Sequence, residues 1–261
     1  MVYVNNYVPP SEPVLSESEI YGPTPYDINF AYSVYEGTLQ NARTKLVPFI
    51  PSVHAETYWN HVGPDPATFR YYPFIFKTLH EYLTWLELRI RRDPYSILFA
   101  VIDKTRPDKK HPDWDGSLAG VIGMFNTSAP NLATEAAYVV VFPEFRGTHI
   151  AKDMVGLLLR YLLQLPGASP PGIGFRRVKW SAHPRNAASI GLAERMGLKR
   201  EGTNRWVWVL PDELAKEGTP GRIGDAFSGK TGRDSTVLAL CWDDWEGGCK
   251  ERVQDILGGS K

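Results

Sequence analysis

The sequence has none of the charge surplus or long apolar runs that mark several large classes of protein. Lys and Arg together number 29, as do Asp and Glu, so the 261-residue chain has a net charge of zero. We therefore expect no nucleic-acid binding through bulk charge, because neutralising phosphates needs a basic surplus or a basic stripe. No apolar run approaches the roughly 20 residues of a membrane-spanning helix.

Cysteine and histidine are also scarce. Cys241 and Cys249 could pair, but they are more simply interpreted as isolated thiols of a reducing compartment. The scattered histidines show no metal-ligand spacing with them, which predicts no metal site. The first residues, MVYVNNYVPPSEP, lack the basic and apolar segments of a signal peptide. These absences predict a soluble, cytoplasmic protein of mixed α/β class that acts at no membrane.

The first 43 residues differ from the rest of the chain. They are rich in Pro, Ser, Tyr and Asn without a sustained period, and the spaced prolines exclude a helix. The segment is either a disordered leader or a partly ordered arm along the domain, and its many tyrosines favour the arm. Residues 44–261 show no repeat and no marked shift in composition, which predicts a single domain.

Hydrophobic periodicity predicts about seven strands and five helices. The predicted strands are residues 44–50, 97–102, 118–125, 135–142, 177–182, 199–210 and 235–242. The predicted helices are residues 53–62, 78–92, a segment opening at 150, 187–196 and 245–257. This order predicts a mixed, largely antiparallel central sheet with helices on both faces. Trp206 and Trp208, at alternate positions, are predicted to share one face of their strand.

A strand, a turn and a helix follow one another in residues 138–165. The β-branched run Val139, Val140 and Val141 reaches Pro143, and an apolar-periodic segment opens at Ile150. Between them lies the basic, small-residue turn RGTH at 146–149. The uncovered N–H groups at such a helix start carry partial positive charge, which favours a phosphate. By itself the turn is a weak signal.

A second sequence motif strengthens the prediction that this turn binds a phosphate. Residues 186–189 read NAAS and residues 194–198 read ERMGL, in the expected order after the turn. With both blocks, residues 44–210 resemble the GNAT superfamily of acetyl-coenzyme A-dependent N-acetyltransferases, and more narrowly the Rim-type ribosomal-protein N-terminal acetyltransferases. The resemblance implies a GNAT-like fold and acetyl-CoA as co-substrate. It also implies direct acetyl transfer to a primary amine in a ternary complex.

The resemblance also implies roles for particular residues. The pyrophosphate of CoA would be held by the turn residues Arg146, Gly147, Thr148, His149, Ile150 and Ala151. A main-chain N–H of Val139, Val140 or Val141 would stabilise the oxyanion. Asn186 would bind the pantetheine arm, or only cap the helix that follows it. Glu135 would be the general base, the alternative being an exposed carboxylate at a strand end.

Two positions depart from the family pattern. His149 stands where the family has its first turn glycine, so its side chain could crowd the pyrophosphate or donate a hydrogen bond to it. Ala193 stands where many relatives have a tyrosine that protonates the thiolate. Ser189 matches a serine near the thiol in the Rim-type branch and is the substitute, or else it only satisfies the helix terminus. His183 could line the site, although a structural role is favoured.

Two other functions stay open. The departures leave room for a non-catalytic member of the fold that binds an acyl-CoA or a protein partner. Residues 224–231 (GDAFSGKT) match the spacing of a nucleotide-binding phosphate loop, but the flanking residues predict no strand before and no helix after, so this match is disfavoured. The acceptor could be a small molecule or the N-terminus of a peptide or protein, and the chain could be a monomer or a homodimer. The aromatic residues 71–76 suggest apolar walls for the acceptor groove.

Overall fold

The structure is a computed structural model that describes residues 1–11, 13–63 and 65–259. One sheet organises them, with the strand order β1-β2-β3-β4-β5-β8-β6 and β7 paired to β8. The strands are β1 (Thr44–Pro48), β2 (Ile97–Asp103), β3 (Ser117–Ser128), β4 (Ala133–Val141), β5 (Arg177–Ala182), β6 (Lys199–Val209), β7 (Thr219–Pro220) and β8 (Thr231–Cys241). Only β4 and β5 pair in parallel. The mixed, largely antiparallel sheet is thus confirmed, with the two-residue β7 as an eighth strand.

Helices cover both faces of this sheet. They are α1 (Pro51–Val62), α2 (Leu79–Leu86), α3 (Ile150–Leu163), α4 (Ala187–Arg195), α5 (Trp242–Asp244) and α6 (Lys250–Leu257). Helix α3 packs against β1 to β5 on one side and α6 on the other, which is why almost all its residues are apolar and buried. Tyr58 of α1 and Tyr82 of α2 lie on the opposite face, around Leu98 of β2.

The parallel strands β4 and β5 separate part-way along their length. They pair only from Ala133 with Arg177 to Ala136 with Trp180. Beyond that point, residues 137–141 of β4 pair with β3 alone, and residues 181–182 of β5 pair with β8. We call the resulting gap the β4–β5 opening. Because α3 follows β4 and α4 follows β5, both helices begin at the edge of the sheet where the opening lies.

Residues 15–43 pack against the domain. Leu15, Ile20 and Leu39 are buried in the main core. Next to them, Arg43 and Thr44 donate to the buried Asp153 carboxylate of α3 at 2.7 and 3.1 Å. These contacts support a packed arm, whereas most residues before position 15 are exposed. The division into an arm of residues 1–43 and one domain of residues 44–261 stays a prediction.

The edge strand β6 is exposed on both faces and does not carry its two tryptophans as predicted. Trp208 lies opposite Arg233, so the two side chains share a face. Trp206 instead packs over Gly232, the preceding residue of β8, on the other face. The register is irregular between Asn204 and Trp208, and Trp206 has a φ of 55°. Such an irregularity re-aims a side chain, so the prediction of a shared face is wrong.

The match to a phosphate loop is also wrong as a nucleotide site. Residues 224–230 form turns of an exposed hairpin, and Thr231 begins strand β8 rather than a helix. A phosphate loop depends on the helix N-terminus that follows it.

None of the helices in the described segments is long and apolar enough to cross a bilayer.

Candidate functional site

The edge of β4 that faces the β4–β5 opening has main-chain groups without a partner on β5 among the described residues. Phe142 N–H donates to Ala119 O across the β3–β4 pair at 2.9 Å. Amides of an antiparallel pair alternate in direction, so Val140, two residues earlier, also turns its N–H toward β3, and Val141 turns its N–H into the opening. Val139 lies in a β-bulge that interrupts this alternation, so the alternation does not fix the direction of its N–H. The alternation thus favours Val141 over Val140 as a donor.

A β-bulge shapes the same stretch. Tyr138 and Val139 together oppose the single residue Ile122 of β3, and Tyr138 has a φ of 57°. The Tyr72 hydroxyl donates to Val139 O at 3.0 Å. A bulge of this kind bends a strand and re-aims its peptide groups. Tyr72 therefore holds the bulged strand at the point where it separates from β5.

The turn before α3 leaves space beside its backbone. Gly147 has a φ of 77°, and a Cβ placed there would meet no atom within 4 Å. The Thr148 hydroxyl donates to Phe145 O at 2.6 Å and accepts from Ile150 N at 3.3 Å, which fixes the turn. Arg146 is exposed and donates from Nε to Val141 O at 3.2 Å. An anion at this helix start would thus meet backbone donors and a nearby cation.

His149 directs its ring away from a phosphate at this turn. Its Nε2 lies 3.4 Å from Oδ1 of Asp103, a buried carboxylate at the end of β2. His149 is also the first residue before α3, with helical φ and ψ of −68° and −23° and no side-chain cap. Of the two alternatives, neither crowding nor donation to the pyrophosphate is supported by this orientation.

Three side chains lie close together at the start of α4, those of Asn186, Ser189 and Trp180. Asn186 Oδ1 accepts from Ser189 N at 3.1 Å, so Asn186 caps the helix. The indole Nε1 of Trp180, in β5, donates to Ser189 Oγ at 3.1 Å. Because an indole N–H is only a donor, the Ser189 hydroxyl keeps its own hydrogen available for another acceptor.

Glu135 lies on the other face of the sheet. Lys179 and Trp180 are neighbours in β5 and point to opposite faces, and Glu135 Oε2 lies 3.0 Å from Lys179 Nζ. Glu135 is only 6% exposed, so its interpretation as an exposed strand-end carboxylate is wrong. Glu135 and Ser189 are thus on opposite sides of the sheet, next to the opening between the strands.

An aromatic pocket adjoins the opening on the Glu135 face. Its side chains leave free space of only about 20 Å³, roughly room for one water molecule, and it is partly open to solvent. It is lined by Tyr58, Phe69, Tyr72, Phe74, Phe76, Tyr82, Trp85, Leu98, Val121, Tyr138 and Val140. Burial raises the pKa of Tyr72 and of Tyr138, so both stay neutral phenols. Tyr72, Phe74 and Phe76 line this pocket and also pack against the main core, so an acceptor groove with these walls stays a prediction.

Arg233 is a polar residue of this face that the sequence did not single out. It lies on β8 and is 6% exposed, with Nη1 donating to Ser235 Oγ at 3.3 Å. Residues paired across β5 and β8 share a face, which places Arg233 on the same face as Lys179 and Glu135. Alternation of side chains along β8 could have predicted that Arg233 faces the interior. It could not have predicted which residues lie next to Arg233.

His183 has a structural role. Its Nε2 lies 2.9 Å from Glu217 O, and its Nδ1 accepts from Arg185 N at 3.0 Å. Burial lowers the pKa of His183, which favours the neutral ring that this pair of bonds needs. Both ring nitrogens are thus satisfied by main-chain groups.

The thiols and possible metal ligands lie at the other end of β8. Cys241 and Cys249 are both free. Ligand atoms of Cys241, Asp243 and Asp244 lie within 4.8 Å of one another. Asp244 already contacts Lys199 and accepts from Cys241 N at 3.4 Å. These bonds account for the cluster without an ion.

The chain is similar in sequence and in fold to known acetyltransferases. A curated N-acetyltransferase of uncharacterized role from Bacillus subtilis (strain 168), the SPbeta prophage-derived YokL, is 25% identical over 121 residues. The match covers 46% of this chain and 57% of that relative, so the chain spans less than two thirds of its length.

Solved structures share the fold at low identity. A GCN5-related N-acetyltransferase from Brucella melitensis is 20% identical, with a TM-score of 0.64 over 84% of each chain. Mycobacterium smegmatis RimJ, solved with CoA-disulfide, is 15% identical, with a TM-score of 0.57 over 83% of this chain and 90% of that one. Each of these likenesses shows the fold alone.

The model of the acetyltransferase (GNAT) domain family matches residues 43–199, more than half of the chain. That range includes both the β4–β5 opening and the start of α3. The chain belongs to the GNAT acetyltransferase family.

Proposed function

We propose that the protein is an acetyl-CoA-dependent N-acetyltransferase that acts on a primary amine by direct attack in a ternary complex. The observation that carries this proposal is the β4–β5 opening. There Val139 and Val141 have no partner on β5 among the described residues, beside the open turn at Gly147. A ligand with a chain of amides and a pyrophosphate would find donors along the whole edge.

The cofactor-binding residues follow from this arrangement. The pyrophosphate is proposed to bind the turn that runs from Arg146 to Ala151, with Gly147 supplying the close approach. Thr148 holds the turn in shape rather than reaching the phosphates, because its hydroxyl is bonded within the turn. The side-chain amide of Asn186 is proposed to bind the pantetheine arm while its oxygen caps α4.

The chemistry needs three contributions from the chain. Glu135 is proposed to take the proton of the attacking amine, directly or through water. The Val139 or Val141 N–H then stabilises the oxyanion that forms at the thioester carbonyl. As the carbon–sulphur bond breaks, the Ser189 hydroxyl donates a hydrogen bond to the departing thiolate, which takes its proton from water while Glu135 releases the amine proton to solvent.

Thiol release from acetyl-CoA over a panel of amines tests this proposal. Glu135→Gln should lower kcat by about 10²- to 10⁴-fold, the usual contribution of a general base. Glu201→Gln is the matched control, because Glu201 also pairs with a basic residue of β5, Arg177, but on the exposed edge. Full turnover in Glu135→Gln removes Glu135 as the base. Binding of acetyl-CoA without turnover of any amine would favour the non-catalytic alternative.

A further inference from the structure

Arg233 is a buried cation with incomplete bonding. Its guanidinium makes one hydrogen bond, from Nη1 to Ser235 Oγ at 3.3 Å, and its buried Nε has no partner within the described residues. The side chain is more than nine-tenths buried. A buried guanidinium normally satisfies its five donors and pairs with a carboxylate, because an unpaired buried charge is costly.

The neighbouring cations show the usual solution. Arg70 and Arg185 both pair with Glu217, each at 3.1 Å. Lys179 faces Glu135 at 3.0 Å. For Arg233, in contrast, no carboxylate of the described residues lies within ion-pair distance. Arg233 is thus the one member of this group that the described residues do not neutralise.

The location of Arg233 connects it with the acceptor side of the opening. It shares a face of the sheet with Glu135, the proposed base. Its charge also acts on Tyr72, which lines the aromatic pocket and contacts the β4 bulge. Burial lowers the pKa of Arg233, and the fields of Tyr72 and Glu135 oppose that shift. The cation is therefore close enough to Tyr72 of the pocket and to the proposed base Glu135 for their charges to interact.

We propose that the acceptor amine carries an oxyanion group, such as a carboxylate, that Arg233 binds while the apolar body of the acceptor lies against the aromatic residues that line the pocket. This inference rests on the proposed acetyltransferase function and narrows its substrate class. The planar fork of Arg233 suits a carboxylate or a phosphonate, since both offer two oxygens to parallel N–H donors. An amine without an acidic group would leave the guanidinium unpaired.

Calorimetric titration with small probes tests the binding site without turnover. The probes are phenylacetate, phenylphosphonate and the neutral 2-phenylethanol, against the wild type and Arg233→Met. Arg205→Met is the matched control, because Arg205 is exposed on the neighbouring strand β6. We expect the anions to bind the wild type and Arg205→Met, and to bind Arg233→Met about tenfold or more weakly. The tighter of the two anions tells a carboxylate from a phosphonate.

Three results would overturn the inference: neutral 2-phenylethanol binding as tightly as the anions, undiminished anion affinity in Arg233→Met, or no anion binding to the wild type. Arg233→Lys covers the case in which the methionine variant does not fold. It keeps the charge but loses the fork, so its loss of affinity should be smaller. The comparison of anionic with neutral probes on the wild type needs no variant at all.

A turnover experiment separates this inference from the proposed activity. Phenylalanine and phenethylamine share an aromatic body and a primary amine, but only phenylalanine has a carboxylate. We expect a higher kcat/KM for phenylalanine, and expect Arg233→Met to remove the preference. Equal turnover of both amines would refute the anionic acceptor and leave the acetyltransferase function intact. Anion binding at Arg233 without thiol release from any amine would refute the activity and leave the anion site intact.

Discussion

Replacing His149 tests the position at which this chain departs most from the family turn. Its Nε2 lies 3.4 Å from Asp103, beyond a normal hydrogen bond, so losing that contact should cost about 0.5 to 1 kcal/mol of unfolding free energy. His149→Ala isolates this term. His149→Gly should cost no more than His149→Ala, because glycine is favoured over alanine at a helix N-cap. CoA affinity should stay within about threefold in both, well short of the tenfold that one charge-assisted bond can supply.

Calorimetric titration with CoA and urea unfolding of the three proteins measure these quantities. The expected pattern is a small loss of stability in both variants with an almost constant CoA affinity, because the ring contacts Asp103 and not the turn. A tenfold gain of affinity in the glycine variant would mean that the ring obstructs the phosphates. A tenfold loss in both variants would mean that the imidazole binds them. Either result refutes the orientation argued above.

Three further predictions concern the surrounding structure. Burial, with a smaller effect of His111, lowers the pKa of His54 to about 4 from 6.5, so acidification between those values should protonate the unfolded chain first and cost about 3 kcal/mol. Urea titrations of His54→Gln should lack most of this loss, and an unchanged pH dependence would contradict the assignment. Asp153→Ala should lower the unfolding free energy by about 3 kcal/mol because it leaves the arm arginine without its carboxylate; a loss below about 1 kcal/mol would mean that the arm is held mainly by other contacts. Tyr72→Phe should slow thiol release with little change in CoA affinity, since it removes the bond to Val139 O at the bulge; unchanged turnover would show that the bulge needs no such anchor.

Local patterns in the sequence predicted the elements around the opening. The β-branched run before Pro143, the basic turn and the apolar period from Ile150 are all short-range signals, and the structure begins α3 at Ile150. The limits predicted for strand β5 agree with the structure because alternation there is regular over its whole length. Where a regular hydrophobic period decides the limits of a strand or helix, that period alone predicts them.

Local sequence patterns did not predict where the register between two strands is irregular. The bulge at Tyr138 and the slip at Trp206 depend on which residues of a partner strand lie opposite. A single extra residue reverses the faces that alternation assigns. For the same reason the last strand was predicted to begin at Ser235, whereas pairing with β6 and β7 extends it back to Thr231.

The candidate site was predictable where it is made from one stretch of chain. The turn at Gly147 and the cap at Asn186 each belong to a local strand-turn-helix or turn-helix pattern. Glu135, Lys179 and Arg233 come from three strands that are distant in sequence. Their neighbourhood follows from the strand order β4-β5-β8, which no local pattern reveals.

Amide hydrogen exchange followed by NMR during titration with CoA measures directly whether CoA binds at the β4–β5 opening and the turn before α3. If the β4–β5 opening and the α3 turn bind CoA, saturation should slow exchange or shift the amide signals at Val139, Val141 and Gly147. The amide of Val140, already turned toward β3, should change less, and the hairpin at residues 224–230 should not respond. Changes confined to that hairpin, or no saturable change at Val139, Val141 and Gly147, would show that CoA does not bind at the β4–β5 opening.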